Sequence, residues 1–243
     1  MSHGSLVGVG VGPGDPELMT LAAVRALASC TTLFAAASAG NEDSIALSIA
    51  QPHLPPGTPT VLLKFPMTQD HATLRQAWQA NAKLVRQAVE AGERCVFLTL
   101  GDPLLYSTFG YLLRTLLAQD PDFPVTVIPG ITAFQAAAAH LRQPLAEGQE
   151  QLLIVPGVRG GAEVHAALTQ AENLVILKAG KNYPAIHAAL TAHGALERSH
   201  LATRLGLPGE RVELTLPAPQ GPLPYLSLIL VEPAQRMAPQ EET

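Results

Sequence analysis

The residues of this chain best suited to chemistry stand in "FLTLGDPLLYST", Phe97 to Thr108. An apolar run ends at Gly101, an acid and a proline follow at Asp102 and Pro103, and hydroxyls come at Tyr106, Ser107 and Thr108. Glycine frees the backbone and proline fixes the turn, so the polar groups gather where a dry strand stops. Such a cluster can hold a polar cofactor, whereas Asp102 read alone is the N-cap of the next helix. A second group, "LVGVGVGPGDPEL" at Leu6 to Leu18, sets Gly8, Gly10, Gly12 and Gly14 at alternate positions ahead of Asp15 and Pro16. Strand side chains alternate between faces, so these glycines clear one face, for close packing or for the floor of a ligand site. A dinucleotide fingerprint needs the pattern Gly-x-Gly-x-x-Gly. Counted from Gly8 its last glycine falls on Pro13, and from Gly10 it falls on Asp15. Neither frame fits, and an acid before the helix would repel a phosphate. A nucleotide-dependent oxidoreductase with a glycine loop is therefore the disfavoured alternative. A third group, "VIPGITAFQAAAA" at Val127 to Ala139, stops a strand at Pro129-Gly130 and offers Thr132 as a helix cap.

Other chemistries lack their residues. The eight histidines are scattered, and no His-x-x-x-His or Cys-x-x-Cys spacing marks a metal site. No Gly-x-Ser-x-Gly elbow is present, so a hydrolase triad is unsupported. Net charge is −5 and Lys and Arg do not cluster, which argues against a nucleic-acid partner. No apolar stretch is long enough for a membrane span, and no N-terminal apolar leader is seen, so a cytoplasmic protein is expected. Cys30 and Cys95 lie in apolar surroundings and read as buried free thiols.

These groups need elements to hold them. The 243 residues are 47% hydrophobic and 14% charged, enough for a well-buried core. The pattern predicts strands at Leu6 to Val11, Thr32 to Ala36, Thr60 to Lys64, Cys95 to Leu100 and Val125 to Ile128. Helices are predicted from Pro16 to Ser29 with a stripe of Leu18, Leu21, Val24 and Leu27, then near Ser44 to Gln51, over 70–91, from about Leu104, and over Ala133 to Leu141. Strands at Leu152 to Val155 and Leu174 to Lys178 then alternate with helices at Ala162 to Ala171 and Pro184 to His193. His200 to Leu205, Arg211 to Leu216 and Tyr225 to Val231 read as strands without long helices between them. The fold class expected is α/β in two domains, 1–141 with a mostly parallel sheet and 142–243 with a mixed one. "RQPLAEGQE" at Arg142 to Glu150 serves as linker, and the last ten or so residues as a frayed tail.

In this order and spacing, "GVGPGDPELMTLAAVRAL", "FLTLGDPLLYST" and "PGITAFQAAAA" resemble the tetrapyrrole methylase family. "KFPMTQD" at Lys64 to Asp70 and "QPLAEG" at Gln143 to Gly148 extend the likeness, which weakens after about residue 160. "KFPMTQD" and "LTLGDPLLYST" are most similar to the members that methylate C20 of precorrin-2, or its cobalt form, in cobalamin biosynthesis. The resemblance implies two α/β domains, usually in a homodimer, with S-adenosylmethionine held in the cleft between domains. It maps cofactor contacts onto Leu100, Gly101, Asp102, Tyr106, Ser107, Thr108, Ile131 and Thr132, and in the second domain onto Lys178, Ala179, Tyr225, Leu226 and Ser227. It maps the tetrapyrrole trough onto Pro13, Gly14 and Asp15. It implies methylation of precorrin-2 to precorrin-3A, with the same reaction on cobalt-factor II as the alternative. A sulfonium is already activated, so a methyl transfer needs positioning more than acid–base groups, which suits a chain without triad or metal cluster. Water, Asp15 or Tyr106 can take the proton that leaves the macrocycle, and the sequence does not choose. A substrate with eight carboxylates wants cations, and Arg75, Arg86, Arg114, Arg159, Lys181 and Arg204 are available. Family members acting on RNA are disfavoured by the charge, and a non-enzymatic binding module by the intact "GDPLLYST".

Overall fold

The computed structural model of the protein describes residues 4–37 and 44–234. The frayed tail expected from the sequence lies outside the described residues. Contacts divide the chain into two units, Met1–Thr132 and Ala133–Thr243.

In the first unit, strands β1 (Ser5–Gly10), β2 (Thr32–Ala37), β3 (Thr60–Lys64), β4 (Arg94–Thr99) and β5 (Val125–Ile128) form one sheet in the order β3-β2-β4-β1-β5. Every pairing is parallel, so all five strands end at one edge. Helices α1 (Leu21–Ser29), α2 (Ile45–Ala50), α3 (His71–Glu90) and α4 (Phe109–Gln119) connect them. The strand β4 is buried from Cys95 to Thr99, as a parallel strand covered on both faces must be. Cys95 and Phe97 join Leu6, Phe34, Val85, Val89, Phe109, Leu112 and Leu116 in one core. The Phe97 ring lies 5.4 Å from that of Phe109 and 6.2 Å, edge-on, from that of Phe65. Each large side chain buried this way contributes about 1.5–3 kcal/mol. Both cysteines are buried free thiols, and burial pushes the Cys95 thiol up to about 11.

Two helix starts differ from the sequence reading. Pro16 opens only a 3₁₀ turn, Pro16–Leu18, because the Asp15 carboxylate accepts from Glu17 N at 2.9 Å and closes a short turn. The backbone then extends through Met19 and Thr20, and α1 starts at Leu21 with the Thr20 hydroxyl accepting from Ala23 N at 3.1 Å. That break turns Leu18 and Leu21 outward, leaving Leu27 buried. The helix placed near Leu104 begins instead at Phe109.

In the second unit, β6 (Leu152–Pro156), β7 (Asn173–Leu177), β8 (Ser199–Thr203), β9 (Arg211–Glu213) and β10 (Ser227–Val231) are ordered β6-β7-β10-β8-β9. Only β6 and β7 pair in parallel, so this sheet is mixed. Helices α6 (Gly161–Leu168) and α7 (Tyr183–Ala192) pack together over a core that includes Leu174, Ile176, Ile186, Leu201 and Ile229. Helix α5 (Ala133–Leu141) packs on β9 and β10 of this unit. The division therefore falls before α5, nine residues ahead of the position read from the sequence, and "RQPLAEGQE" lies inside the second unit. Buried Ala137 and Ala138 let α5 approach its neighbours closely.

Tyr183 is the largest fully buried side chain, and its hydroxyl donates to the Pro217 carbonyl at 2.6 Å. Burial, with Glu213 adding repulsion, pushes its phenol up to about 12. The raised value means that this group's stabilisation is present below about pH 10 and lost as pH rises through about 12. Tyr183→Phe, which orphans the Pro217 carbonyl, is expected to cost about 1–2 kcal/mol in urea unfolding. In alkaline titration the Tyr183 phenolate absorbance should appear together with the loss of circular dichroism, and the Phe variant should lack that step.

Candidate functional site

The parallel strands β4, β1 and β5 stand side by side, so the segments leaving their carboxyl ends share one edge. Open α/β sheets bind ligands at that edge. The segments there are tied backbone to backbone. Val11 N donates to Thr99 O at 2.9 Å, and Gly12 and Gly101 form an antiparallel bridge, with Gly101 N donating to Gly12 O at 2.7 Å. A Cβ on Gly10 would lie 2.5 Å from the Gly101 carbonyl oxygen and 2.6 Å from the Gly130 nitrogen. A Cβ on Gly130 would strike the same Gly101 oxygen and the Gly10 backbone. Three chain segments thus cross where only hydrogens fit.

The alternate glycines of the opening stretch are filled from within. The space over Gly8 is taken by the Phe109 ring, and that over Gly10 by the 101 and 130 backbones. The face they clear serves packing, and only the turn beyond it reaches the edge. Pro13 and Gly14 are buried, while Asp15 is partly exposed with its carboxylate committed to Glu17 N.

Along the second stretch, Gly101 has φ +68, a left-handed conformation that glycine adopts without strain. Asp102 uses both carboxylate oxygens: Oδ1 accepts from Leu104 N at 2.8 Å and Oδ2 accepts from Gly130 N at 3.1 Å. It therefore does not cap α4. Ser107 Oγ accepts from Phe109 N at 3.0 Å, and Thr108 is the cap residue. Tyr106 is half-exposed at φ +49, a conformation costly for a residue with a side chain. Leu100, Ile131 and Thr132 are partly buried. So Leu100, Gly101, Asp102, Ile131 and the 11–15 turn come together, with Tyr106, Ser107 and Thr108 on the loop leaving the same strand.

In the second unit, the carboxyl ends of β7 and β8 meet the start of β10. Ala179 N donates to Ser227 O at 3.0 Å, Arg204 N to Leu226 O at 2.8 Å, and Leu223 N to Gly180 O at 2.9 Å. This brings Lys178, Ala179, Leu226 and Ser227 to one sheet edge, with Tyr225 exposed beside them. Lys178 and Arg204 both have left-handed backbones, φ +56 and +53. The Ser227 hydroxyl is spent internally: it is buried, donates to Pro224 O at 2.7 Å and meets Thr203 Oγ1 at 3.2 Å. Among the candidate cations, Arg86 is engaged by Asp120 at 3.4 Å and stacks on Phe123, while Arg114 lies over the Tyr111 ring. Arg204 Nε donates to Pro208 O at 2.7 Å. Arg75, Arg159 and Lys181 are exposed. Asn182 Nδ2 donates to Gly157 O and Val158 O, both at 2.9 Å, so the loops carrying Arg159 and Lys181 are joined.

Sequence reasoning missed Gly130 as a packing centre, treating it only as a strand stop. The available signal was a third glycine at a third strand end, after proline, as Gly101 follows a strand before one. Among the described residues no group of three or more His, Cys, Asp or Glu could hold a metal ion, and no helix is long and apolar enough to cross a membrane.

Residues 5–218 match the family model described as Tetrapyrrole (Corrin/Porphyrin) Methylases. The chain is 36% identical over 231 residues to the cobalt-precorrin-2 C(20)-methyltransferase of Salmonella typhimurium, covering 94% of this chain and 96% of that one. It is 33% identical over 236 residues to the precorrin-2 C(20)-methyltransferase of a Sinorhizobium species, covering 94% and 95%. A uroporphyrin-III C-methyl transferase from Thermus thermophilus, solved in complex with S-adenosylhomocysteine, shares the fold at TM-score 0.64 and 22% identity, over 94% of this chain and 92% of that one.

Gly10→Ala is expected to lower stability by about 3 kcal/mol or more, since backbone rather than a flexible side chain must yield. Gly57→Ala, where a Cβ meets nothing within 4 Å, serves as control. Its φ of +76 leaves only the milder conformational cost. Thermal denaturation of the two variants should separate them clearly, Gly10→Ala melting well below Gly57→Ala.

Proposed function

The chain belongs to the tetrapyrrole methylase family, and from that premise we propose that it transfers a methyl group from S-adenosylmethionine to C20 of precorrin-2, giving precorrin-3A in cobalamin biosynthesis. The observation that carries the reading is end-to-end likeness, at 33–36% identity, to two proteins both named for C20 methylation. The Salmonella relative favours a second reading, the same methylation on the cobalt-loaded macrocycle.

On this reading the first unit's strand ends take the cofactor. A Cβ on Gly101 would have only the Ile131 carbonyl oxygen within 4 Å, at 4.0 Å, so the space beside it is open. When bound, the sulfonium supplies an activated methyl and departs as neutral S-adenosylhomocysteine. On this reading Leu100, Gly101, Ile131 and Thr132 present backbone groups to the cofactor, and Tyr106, Ser107 and Thr108 present hydroxyls. Lys178, Ala179, Tyr225, Leu226 and Ser227 are the further cofactor contacts on this reading, Ser227 through its backbone because its hydroxyl is engaged. Pro13, Gly14 and Asp15 face the tetrapyrrole. Exposed Arg75, Arg159 and Lys181 are the cations available to meet substrate carboxylates, and Arg159 and Lys181 lie on loops joined through Asn182. The protein's part is to hold two reactants in line, which by itself supplies a large share of the rate. The working form on this reading is a homodimer.

Incubation with methyl-labelled S-adenosylmethionine and precorrin-2, with and without cobalt, tests the assignment. Label is expected at C20, and the ratio of the two initial rates decides between the macrocycles. Transfer to neither overturns the proposal. Arg159→Ala with Lys181→Ala should raise KM for the tetrapyrrole while leaving the affinity for S-adenosylhomocysteine in place.

A further inference from the structure

We propose that Asp102 is a positioning residue that acts on the cofactor site through Gly130, clamping the loop after β5 against the loop after β4. The inference rests on the reading of this edge as the cofactor site.

An ionised carboxylate accepts hydrogen bonds at both oxygens, so one group can tie two backbone segments together. Asp102 does so with Leu104 N on its own loop at 2.8 Å and Gly130 N across 28 residues at 3.1 Å. Hydrogen bonds to a charged acceptor are among the stronger ones in a protein. The second bond bears on the loop after β5. The 11–12 segment is held by Val11 N to Thr99 O and by the paired bonds between Gly12 and Gly101. Beyond Ile128, Gly130 N donating to Asp102 Oδ2 ties the Pro129–Thr132 turn to the loop after β4. Gly130 is also the residue wedged against Gly10 and the Gly101 carbonyl, so the carboxylate holds in place a contact that sterics make tight but not attractive. Ile131 and Thr132, the next two residues, are the ones assigned to the cofactor. Their backbone groups are aimed by Gly130, and Gly130 is aimed by Asp102.

The geometry distinguishes the clamp from two simpler roles. A helix cap would bond the first turn of α4, but the donor there, Phe109 N, is taken by Ser107. A local turn-former would need only Leu104 N.

The test pairs amide hydrogen exchange of the ligand-free protein with calorimetry of S-adenosylhomocysteine binding, for wild type, Asp102→Asn and Asp102→Ala. Alanine removes both acceptors. Asparagine, of equal size, keeps one and guards against a variant that fails to fold. Exchange at Gly130–Thr132 is expected to rise about tenfold in Asp102→Ala, with S-adenosylhomocysteine binding weakened about tenfold and Asp102→Asn in between. Weakened binding with unchanged exchange at Gly130–Thr132 would mean direct contact and overturn the clamp. Faster exchange confined to residues 103–105, with affinity unchanged, would reduce Asp102 to a turn-former and overturn it equally. Should the wild type bind no S-adenosylhomocysteine, the cofactor reading falls, while the exchange at Gly130–Thr132 still decides whether the clamp exists.

Discussion

Three backbones crossing at Gly10, Gly101 and Gly130 set the terms for the first unit. Parallel strands deliver their carboxyl ends to one edge, but they do not bring the following loops into contact, because side chains normally keep neighbouring loops apart. Here a Cβ at Gly10 or Gly130 would overlap main-chain atoms of another segment. Removing those side chains lets the loops lie on one another, and the Gly12–Gly101 bridge and the Asp102–Gly130 bond then lock them. Sterics allow the approach and hydrogen bonds supply the attraction. The result is a small surface of closely packed backbone groups, placed where an open sheet takes its ligands.

Such a surface suits a reaction whose reagent arrives activated. Methyl transfer from a sulfonium asks for distance and alignment, and a loop free to wander loses that alignment. The strain in the structure falls at strand ends as well. Among the described residues four non-glycine residues have positive φ; of these Lys178 and Arg204 directly follow β7 and β8, and Tyr106 lies in the loop between β4 and α4. Each costs about 1–3 kcal/mol and persists only where surroundings fix it.

Much of this was legible in the sequence. The dry run Cys95 to Leu100 could only be a strand covered twice, and alternation of strands and helices gave a parallel sheet, then a mixed one. What sequence spacing could not show was the partner of each polar group. Asp15 and Asp102 both stand before proline and both look like caps. One closes a 3₁₀ turn through Glu17 N, and the other reaches a residue 28 positions away. Nothing local separates them, because the second bond exists only once β4, β1 and β5 are assembled. The domain boundary was hidden for a similar reason. Helix α5 follows the first sheet in sequence, but its alanine face packs against β9 and β10, which are formed much later in the chain.

The helix expected near Leu104 and found at Phe109 shows the same physics from the other side. Local signals favour an early start, since Asp102-Pro103 is a good opening for a helix. Gly8 decides otherwise. Its missing side chain leaves a slot on the sheet that the Phe109 ring fills, and Phe109 is fully buried against Phe97. Anchoring the helix at Phe109 leaves residues 102–108 as loop, and that loop carries the hydroxyls. Gly8 and Gly10 lie two residues apart on one strand and therefore face the same way. The first sets where the helix begins, and the second sets how closely the loops can cross. The ladder of glycines that resembles a nucleotide cradle works instead as a template for what packs on it, and the edge that this packing leaves is where open α/β sheets take their ligands.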